Sequence, residues 1–504
     1  MSDDDTENNS DTDAEMESST PPADAGNTGD FLEDTFGITK AGSTVEGEIR
    51  AGVTTFLTMA YILFVNPDML SVSGIPFNDA LFATAIAAFV GCVIMGLWAN
   101  LPFALAPGMG LNAYFAFTVT ASWGMGIEWE IALAAVLVEG VIFMILSLPQ
   151  VGWRTEMINA IPKDLKIATG AGIGMFLAII GFREMGWIID HPATLVDIAF
   201  TETFTHQSGE LWGLICLIAI AVMMARGIKG AMIYGILGTT IIGGWIIGAS
   251  DPYNGVEAVA VGSMDNLDTS SLFEVAKMPE ESMFAAFGAL GDLSGDNMGD
   301  FILVMIAFLF VDIFDTAGTL YSVGRQGGFV DENDELQDSD EAFMSDAAAT
   351  MVGAAMGTST TTTYIESGAG VEEGGKTGLV AVVVGVLMLS GLLFAGLFTQ
   401  IPTFAVAPAL VIVGAMMMKQ AADINWNDKE LAIPAFITMV LMPFTYSIAD
   451  GIAWGLISYV AIKIGMGKMD KLNPVVNVLA VLMLMFYVGP GDQSTFDWLL
   501  SFIF

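Results

Sequence analysis

The stretch GTSTTTTYIESG, residues 357–368, places six consecutive Ser or Thr residues and a glutamate between glycines, in a chain of long apolar runs. Threonine-rich sequence bordered by glycine favours extended chain over helix. Inside a membrane, such irregular backbone is tolerated only where protein or a polar cavity satisfies its polar groups. The stretch therefore predicts one wall of an internal polar site, provided that the surrounding chain spans a membrane.

The composition indicates that the chain spans a membrane. Hydrophobic residues make up 54% of the chain and charged residues only 14%, and many apolar runs approach the roughly 20 residues that a spanning helix needs. The pattern predicts an all-α polytopic membrane protein with fourteen transmembrane spans, at 48–66, 79–98, 103–122, 128–148, 164–182, 209–226, 229–249, 299–324, 339–357, 358–370, 376–400, 403–419, 430–446 and 448–465.

The basic residues predict the orientation of the chain, because Lys and Arg concentrate in cytoplasmic loops. With the N-terminus inside, fourteen of the sixteen basic residues fall on the cytoplasmic side, and only Arg183 and Lys277 fall outside. We therefore expect a multi-pass protein of the plasma membrane with a cytoplasmic N-terminus.

The charge distribution predicts which regions of the chain lie outside the membrane. Residues 1–36 are acidic and polar, which is typical of a disordered cytoplasmic tail, and 251–298 form an acidic external loop. The net charge of −40 is spread over the loops, which favours a halophilic, salt-adapted protein over one with a basic partner. After the last span, 467–504 are expected to hold a short helix and a tail.

A weak internal repeat divides the spans into two halves. Residues 169–187 align with 407–426, and 227–248 align with 447–465. This spacing pairs span one with span eight and span three with span ten. Because each half has seven spans, the predicted repeats, 37–250 and 299–466, have inverted topology, as in many transporters.

Under this repeat the threonine stretch has a partner in span three, FALAPGMGLNAYFAF, where Pro107, Gly108 and Gly110 break the helix before Asn112. Paired broken spans in corresponding positions indicate a substrate site near the membrane midplane. Two half-helix N-termini there present free N–H groups. The expected backbone of the site is Gly108, Gly110, Thr361, Thr362 and Thr363.

Carboxylates inside the spans support this site. Asp312 and Asp315 lie three residues apart in span eight and so share a helical face, and no Lys or Arg lies deep within a span to pair with them. Such groups are costly unless they face a cavity or a partner. Glu366 follows the threonine stretch, while Glu139 in span four is compatible with either helix bracing or proton handling. Asp346, assigned to the first turn of span nine, needs only the helix dipole as an explanation.

These groups suit a planar, neutral, polar ligand. A carboxylate accepts hydrogen bonds from ring N–H groups, and an Asn amide both donates and accepts. A carboxyl in a low-dielectric site can also take up and release a proton as the site changes sides. The residues alone thus predict a cation-coupled secondary transporter of a small polar solute and leave the solute open.

Four long motifs narrow the prediction. They are EIRAGVTTFLTMAYILFVNP at 48–67, APGMGLNAYFAF at 106–117, FLFVDIFDTAGTL at 308–320 and GTSTTTTYIESGAGVEEGGKTGL at 357–379. Over about residues 36–470 the chain resembles the nucleobase:cation symporter-2 superfamily, and within it the AzgA-like adenine/guanine/hypoxanthine permeases. The resemblance implies two inverted seven-span repeats, core and gate domains, short antiparallel strands in spans three and ten, and purine uptake in a protein that is often a homodimer.

The resemblance also implies roles for individual residues. Asn112, Asp312 and Glu366 would contact the purine nucleobase, and Asp315 would support the site or the coupling. The coupling cation is expected to be a proton, with sodium as the alternative in a salt-adapted cell. No cofactor, metal site or nucleic-acid surface is predicted; Cys92 and Cys216 lie in apolar spans as ordinary packing residues.

An intramembrane protease, an anion transporter and a channel each fit the sequence less well than a nucleobase transporter. An intramembrane aspartyl protease needs aspartates on two different helices, whereas Asp312 and Asp315 share one. An anion transporter on the same fold would favour a neutral or positive site over carboxylates. A channel would not need two broken spans around an occluded pocket. A permease for xanthine or uracil remains open, because it would differ only in the solute.

Overall fold

The computed structural model describes residues 31–150, 161–199, 205–250, 272–293, 295–330, 336 and 338–489. Most of the predicted acidic tail, residues 251–271 of the predicted external loop and the last fifteen residues lie outside these ranges. Within them the chain is mostly helical, with two pairs of short strands.

The first half of the described chain contains nine helices. They are α1 Phe31–Phe36, α2 Val45–Met59, α3 Ile62–Val72, α4 Phe77–Ile94, α5 Met109–Ala113, α6 Trp129–Ser147, α7 Lys163–Glu184, α8 Gly209–Ala225 and α9 Ala231–Thr239. Three of these helices, α4, α5 and α9, continue into wider π-helical turns. Helix α2 begins where the Thr44 hydroxyl accepts a hydrogen bond from the Gly47 N–H, which satisfies a donor that the first helical turn leaves free.

The second half contributes ten more helices within the described ranges. They are α10 Ala285–Gly291, α11 Gly295–Gly327, α12 Ser339–Met356, α13 Ser367–Glu372, α14 Leu379–Ser390, α15 Ala395–Phe398, α16 Thr403–Met418, α17 Lys429–Thr445, α18 Ile448–Gly465 and α19 Pro474–Tyr487.

Eight described helical segments are long and apolar enough to cross a membrane. They are Val45–Val72, Phe77–Ala99, Trp129–Ser147, Lys163–Glu184, Met298–Gly327, Leu379–Phe398, Thr403–Asp423 and Ile448–Gly465. Three shorter apolar helices, Gly209–Ala225, Ala231–Ile247 and Pro474–Met485, accompany them. The protein is thus a mostly helical, polytopic membrane protein, whereas fourteen crossings and an inverted repeat remain predictions.

Two boundaries differ from those drawn on the sequence. The predicted disordered tail ends at residue 36, yet Phe31–Phe36 forms α1, and Phe36 is buried against Ile38 and Leu379. Helix α11 begins at Gly295, inside the predicted external loop. At Phe31–Phe36 a short apolar segment packs against the helices although the surrounding sequence is acidic, because local burial outweighs the average polarity of a region.

The helices pack in two groups. The core group consists of α2–α6 and α11–α14, and the gate group consists of α7–α9 and α16–α18; each group makes most of its contacts within itself. Helix α7 of the gate group touches α5 and α11, and α16 touches α3. The two groups therefore meet around α5 and α11, which carry the predicted site residues.

The shorter strands of the core group join spans three and ten. Strand β1, Leu105–Pro107, pairs antiparallel with β4, Thr361–Thr363, so that Leu105 faces Thr363 and Pro107 faces Thr361. The Gly108 N–H donates to the Thr360 carbonyl at 2.8 Å and extends the ladder. Strands β2, Ile188–His191, and β3, Leu195–Ile198, form a separate hairpin. The β1–β4 pair confirms the predicted antiparallel strands within 103–122 and 358–370.

Candidate functional site

The β1–β4 pair brings together the two interrupted segments. Helix α5 begins just after β1 and carries Asn112 in its first turns, while Glu366 directly precedes α13. The Tyr364 N–H donates to the Ala104 carbonyl at 2.9 Å, and the Tyr364 hydroxyl donates to the Pro107 carbonyl at 2.5 Å. The two segments are thus held side by side in the interior of the core group.

Carboxylates and hydroxyls satisfy much of the threonine stretch. The Thr361 N–H donates to Thr350 Oγ1 at 3.2 Å, and the same hydroxyl donates to the Thr361 carbonyl at 3.0 Å. Thr363 Oγ1 donates to Asp346 Oδ1 at 3.0 Å. Thr362 Oγ1 lies 3.5 Å from Asp315 Oδ2, which is a weak hydrogen bond. The stretch forms a buried polar wall whose side chains point at two aspartates.

Asp312 is completely buried, and its neighbours belong to the core group. The hydroxyls of Thr316 and Thr350 each lie 3.4 Å from one of its carboxylate oxygens. The Glu139 and Asp346 carboxyls are close enough to interact with it electrostatically. The Glu139 carboxyl lies within hydrogen-bonding range of Asp312, and no other group among the described residues donates a hydrogen bond to its oxygens. We call Glu139, Asp312 and Asp346 the buried carboxylate cluster.

Asp346 corrects the interpretation based on its sequence position. It lies two turns inside α12 instead of in the first turn, and it is fully buried. The Thr316 hydroxyl donates to its Oδ2 at 2.6 Å, in addition to the bond from Thr363. The helix dipole acts mainly on the first turn, so it does not explain this residue; two hydroxyl donors and the neighbouring carboxyls do.

Asp315 and Glu366 have different surroundings from Asp312. The Tyr61 hydroxyl donates to Glu366 Oε1 at 2.7 Å, and Glu366 retains 6% exposure. Asp315 is partly exposed, next to the exposed Gly318 one turn further along α11, and it interacts electrostatically with Glu366. Asp315 also interacts electrostatically with Asp312 and Asp346. The carboxylates therefore form the buried cluster and an adjoining pair, Asp315 and Glu366, that reaches a more open region.

Asn112 is the clearest unsatisfied polar group of the interrupted segments. It is fully buried, and neither its amide oxygen nor its amide nitrogen has a partner among the described residues. The hydroxyls of Thr360 and Thr361 likewise have no hydrogen-bond partner among the described residues. Because buried polar groups are almost always hydrogen-bonded, these atoms indicate a place for a ligand or for water.

The structure also identifies residues that the sequence did not single out. Tyr61 and Tyr364 hold Glu366 and β1 in place through their hydroxyls, yet tyrosines in apolar spans are ordinary in sequence. The sequence does contain a signal that Asp346 is a buried functional carboxyl, because it lies in the Ala-rich segment SDAAATMVGAAM without a basic residue nearby.

Gly110 sets the distance between the core and gate groups, which gives a test by mutation. A Cβ atom on Gly110 would lie 2.3 Å from Ile173 Cγ2 of α7. We expect Gly110→Ala to lower the thermal stability of the purified protein by about 1–3 kcal/mol, the usual cost of overpacking. The measurement is the unfolding transition of detergent-solubilised protein.

Two variants control this experiment. Ile173→Ala removes the side-chain atoms that the new Cβ would meet, at the separate cost of a cavity. Gly110→Ala should therefore cost much less in the Ile173→Ala background than in the wild type, as expected for residues in direct contact. Gly238→Ala adds a Cβ atom where nothing lies within 4 Å and should have little effect. An equal cost of Gly110→Ala in both backgrounds would show that the Ile173 contact does not set the spacing.

Comparison with known proteins agrees with this architecture. A model of the xanthine/uracil permeases, described as the Permease family, matches residues 46–454. The chain is 38% identical over 456 residues to the adenine permease AdeP of Escherichia coli K12, covering 90% of this chain and 95% of that protein. It is 39% identical over 462 residues to the guanine/hypoxanthine permease PbuG of Bacillus subtilis 168, covering 90% and 98%.

Among solved structures, the transmembrane domain of the cyanobacterial bicarbonate transporter BicA is similar to the chain, with a TM-score of 0.58. The match covers 81% of this chain and 97% of that domain at 14% sequence identity, so it shows a shared fold alone. The relatives and the family model describe permeases, which makes the protein a transporter and not an enzyme. The chain belongs to the xanthine/uracil permease family, the nucleobase:cation symporter-2 family that its motifs indicated.

Proposed function

We propose that the protein is a secondary active transporter that imports the purine nucleobases adenine, guanine and hypoxanthine by cation symport. The observation that carries this proposal is the β1–β4 pair, which joins two interrupted segments beside unpaired polar atoms and carboxylates. The relatives support the solute class, because they include permeases named for adenine and for guanine and hypoxanthine.

In this proposal Glu366, Asp315 and Asn112 contact the purine. The two carboxylates accept hydrogen bonds from ring N–H or exocyclic amine groups, and the Asn112 amide supplies a donor and an acceptor. Backbone groups near the strand ends, at Gly108, Gly110 and Thr361–Thr363, complete the site. The family resemblance implies that Asp312 contacts the purine; we propose Asp315 for that role because Asp312 lies with the buried cluster.

The buried carboxylate cluster is proposed to bind the coupling cation. Three carboxyls that lie close together in a low-dielectric interior cannot all be charged at once, so binding a cation relieves their repulsion. A proton suits the cluster best, and sodium is the alternative. Because Asp315 interacts electrostatically with both Asp312 and Asp346, a change of charge in the cluster acts directly on the purine-side pair.

Alternating access follows from the division of the helices. The core group carries both carboxylate sets, and we propose that it moves against the gate group so that the site faces each side of the membrane in turn. The proposal includes fourteen spans in an inverted repeat, a cytoplasmic N-terminus, location in the plasma membrane and assembly as a homodimer. The basic residues support the orientation, since fourteen of sixteen fall on one side.

Radiolabelled adenine uptake in a host that lacks purine transport tests the proposal. We expect accumulation that guanine and hypoxanthine compete for and that uracil and xanthine hardly affect. A protonophore should collapse the accumulation, because the proton gradient drives it. Equal competition by uracil or xanthine would move the solute to another nucleobase. Accumulation that survives the protonophore but requires external sodium would change the coupling cation.

The shared fold with a bicarbonate transporter raises an anion as a second solute class. The carboxylates of the site argue against it, because Asp315, Glu366 and the buried cluster would repel an anion. Absence of purine uptake together with bicarbonate uptake in the same host would reverse this choice.

A further inference from the structure

A cavity of about 390 Å³ lies apart from the purine site proposed above. Its walls come from the π-helical end of span three, the C-terminal end of α7, the first half of α11, the turn between α17 and α18, and α19. It thus opens where the core group, the gate group and the C-terminal helix meet. Its volume falls within the range of roughly 300–1,000 Å³ typical of small-molecule sites.

The walls of this cavity are aromatic. Six aromatic side chains contribute to it, namely Tyr114, Phe117, Trp123, Phe310, Tyr446 and Tyr487. Flat aromatic faces bind flat rings by stacking, which adds to the stabilisation from the buried area alone. The lining therefore favours a planar ligand over a flexible or globular one.

The charges of the cavity balance. Arg183 and Asp450 are the charged residues among the described side chains that line it, so the site carries no formal net charge. An anion would be repelled by the carboxylate and a cation by the guanidinium, whereas a neutral ligand that donates at one edge and accepts at another can use both. This combination describes a neutral nitrogenous heterocycle.

Both charged side chains are held in place by aromatic neighbours. The Arg183 Cζ atom lies 5.6 Å from the centre of the Trp123 ring and 5.7 Å from that of Tyr446, within the range of a cation–π contact. The Tyr487 hydroxyl donates to Asp450 Oδ1 at 2.5 Å, and its ring packs against Trp454 at 5.2 Å. Helix α19 thus fixes the acidic side of the cavity.

The cavity adjoins the proposed purine site along two helical segments. Tyr114 follows Asn112 by two residues, and Phe310 precedes Asp315 by five. The Tyr114 ring packs edge-on against Phe308, with 5.2 Å between ring centres. The cavity and the proposed purine site therefore draw side chains from the same two helical segments.

We propose that this cavity is a second nucleobase site, in which the purine docks before it passes to Asp315 and Glu366. Asp450 accepts hydrogen bonds from ring N–H or amino groups, Arg183 donates to a ring nitrogen or carbonyl, and the aromatic walls stack on the base. This inference rests on the proposed function, because the same solute class must use both sites.

Binding stoichiometry tests the inference. Equilibrium dialysis of purified, detergent-solubilised protein against radiolabelled adenine should give two sites per chain in the wild type. Glu366→Gln and Asp450→Asn should each leave one site, and the double variant should leave none. Tyr487→Phe removes the hydroxyl that holds Asp450 but keeps the ring, so it should weaken the second site about tenfold or less.

Transport kinetics provide a separate measurement. Asp450→Asn should raise the KM for adenine about fivefold with the maximal rate within twofold, because it affects docking and leaves the carboxylates of the purine site intact. Glu128→Gln, an exposed acid before α6, is the matched control and should leave KM unchanged. Each variant is first checked by size-exclusion chromatography, and only protein that elutes as a monodisperse peak is compared with the wild type.

The results separate two kinds of failure. One adenine site in the wild type, or two sites that persist in both Asp450→Asn and Tyr487→Phe, would overturn the second site while leaving purine transport intact. Adenine uptake that is absent in cells, together with no adenine binding in dialysis, would overturn the proposed function and this inference with it.

Discussion

Replacing Glu366 with glutamine should abolish adenine accumulation while leaving the amount of protein in the membrane unchanged. In the proposed site Glu366 accepts hydrogen bonds from the purine, and the Tyr61 hydroxyl at 2.7 Å orients its carboxylate. A hydrogen bond to a charged group contributes about 1.5–3 kcal/mol, so losing two such bonds lowers binding at least a hundredfold. Uptake of radiolabelled adenine, normalised to membrane protein, measures the effect.

Two further variants define the role of Glu366. Glu372→Gln changes an exposed acid at the end of the adjoining α13 and should leave uptake within twofold. Tyr61→Phe removes only the orienting hydroxyl and should cost less than Glu366→Gln. If Glu366→Gln transports adenine normally, the carboxylate does not contact the purine.

Replacing Asp312 with asparagine should separate coupling from binding. The variant keeps the shape of the side chain and its hydroxyl neighbours but removes one ionisable group from the buried carboxylate cluster. We expect proteoliposomes to retain exchange of labelled for unlabelled adenine within about threefold, because exchange needs no net cation movement. Accumulation against a gradient should be lost, because it depends on cation binding to the cluster.

The matched control for this variant is Asp300→Asn, which changes an exposed acid near the start of the same helix and should affect neither assay. If Asp312→Asn loses exchange as completely as Glu366→Gln, Asp312 contacts the purine as its motif predicted. If it keeps full accumulation, the coupling cation binds elsewhere.

Much of the helical organisation could be predicted from the sequence. The predicted spans 128–148, 164–182 and 448–465 correspond to α6, α7 and α18 within two residues at each end, because long apolar runs bounded by polar residues allow few alternatives in a membrane. The helix interruption at GTSTTTTYIESG could also be predicted from the sequence, since glycine and threonine favour extended chain. Its pairing with β1 came from the resemblance and not from the residues themselves.

The division of the carboxylates could not be predicted. At about 3.6 residues per turn, residues three apart differ by roughly 60° around the helix axis, so Asp312 and Asp315 share a face only loosely. That angle is enough to place one among the side chains of α6 and α12 and the other near Glu366. Such a distinction depends on which helices pack nearby, which a single sequence does not specify. The same holds for the Tyr61 contact to Glu366.

The β1–β4 ladder has a consequence for synthesis of the chain. Its two strands lie in opposite halves of the sequence, so β1 is inserted long before its partner leaves the ribosome. During that interval the Ala104 carbonyl and the Gly108 N–H lack their final partners, the Tyr364 N–H and the Thr360 carbonyl, at a cost of several kcal/mol each in hydrocarbon. These backbone groups of the nascent permease therefore need temporary hydrogen-bond partners, from water or from the insertion machinery, until the second half of the chain is inserted and completes the ladder.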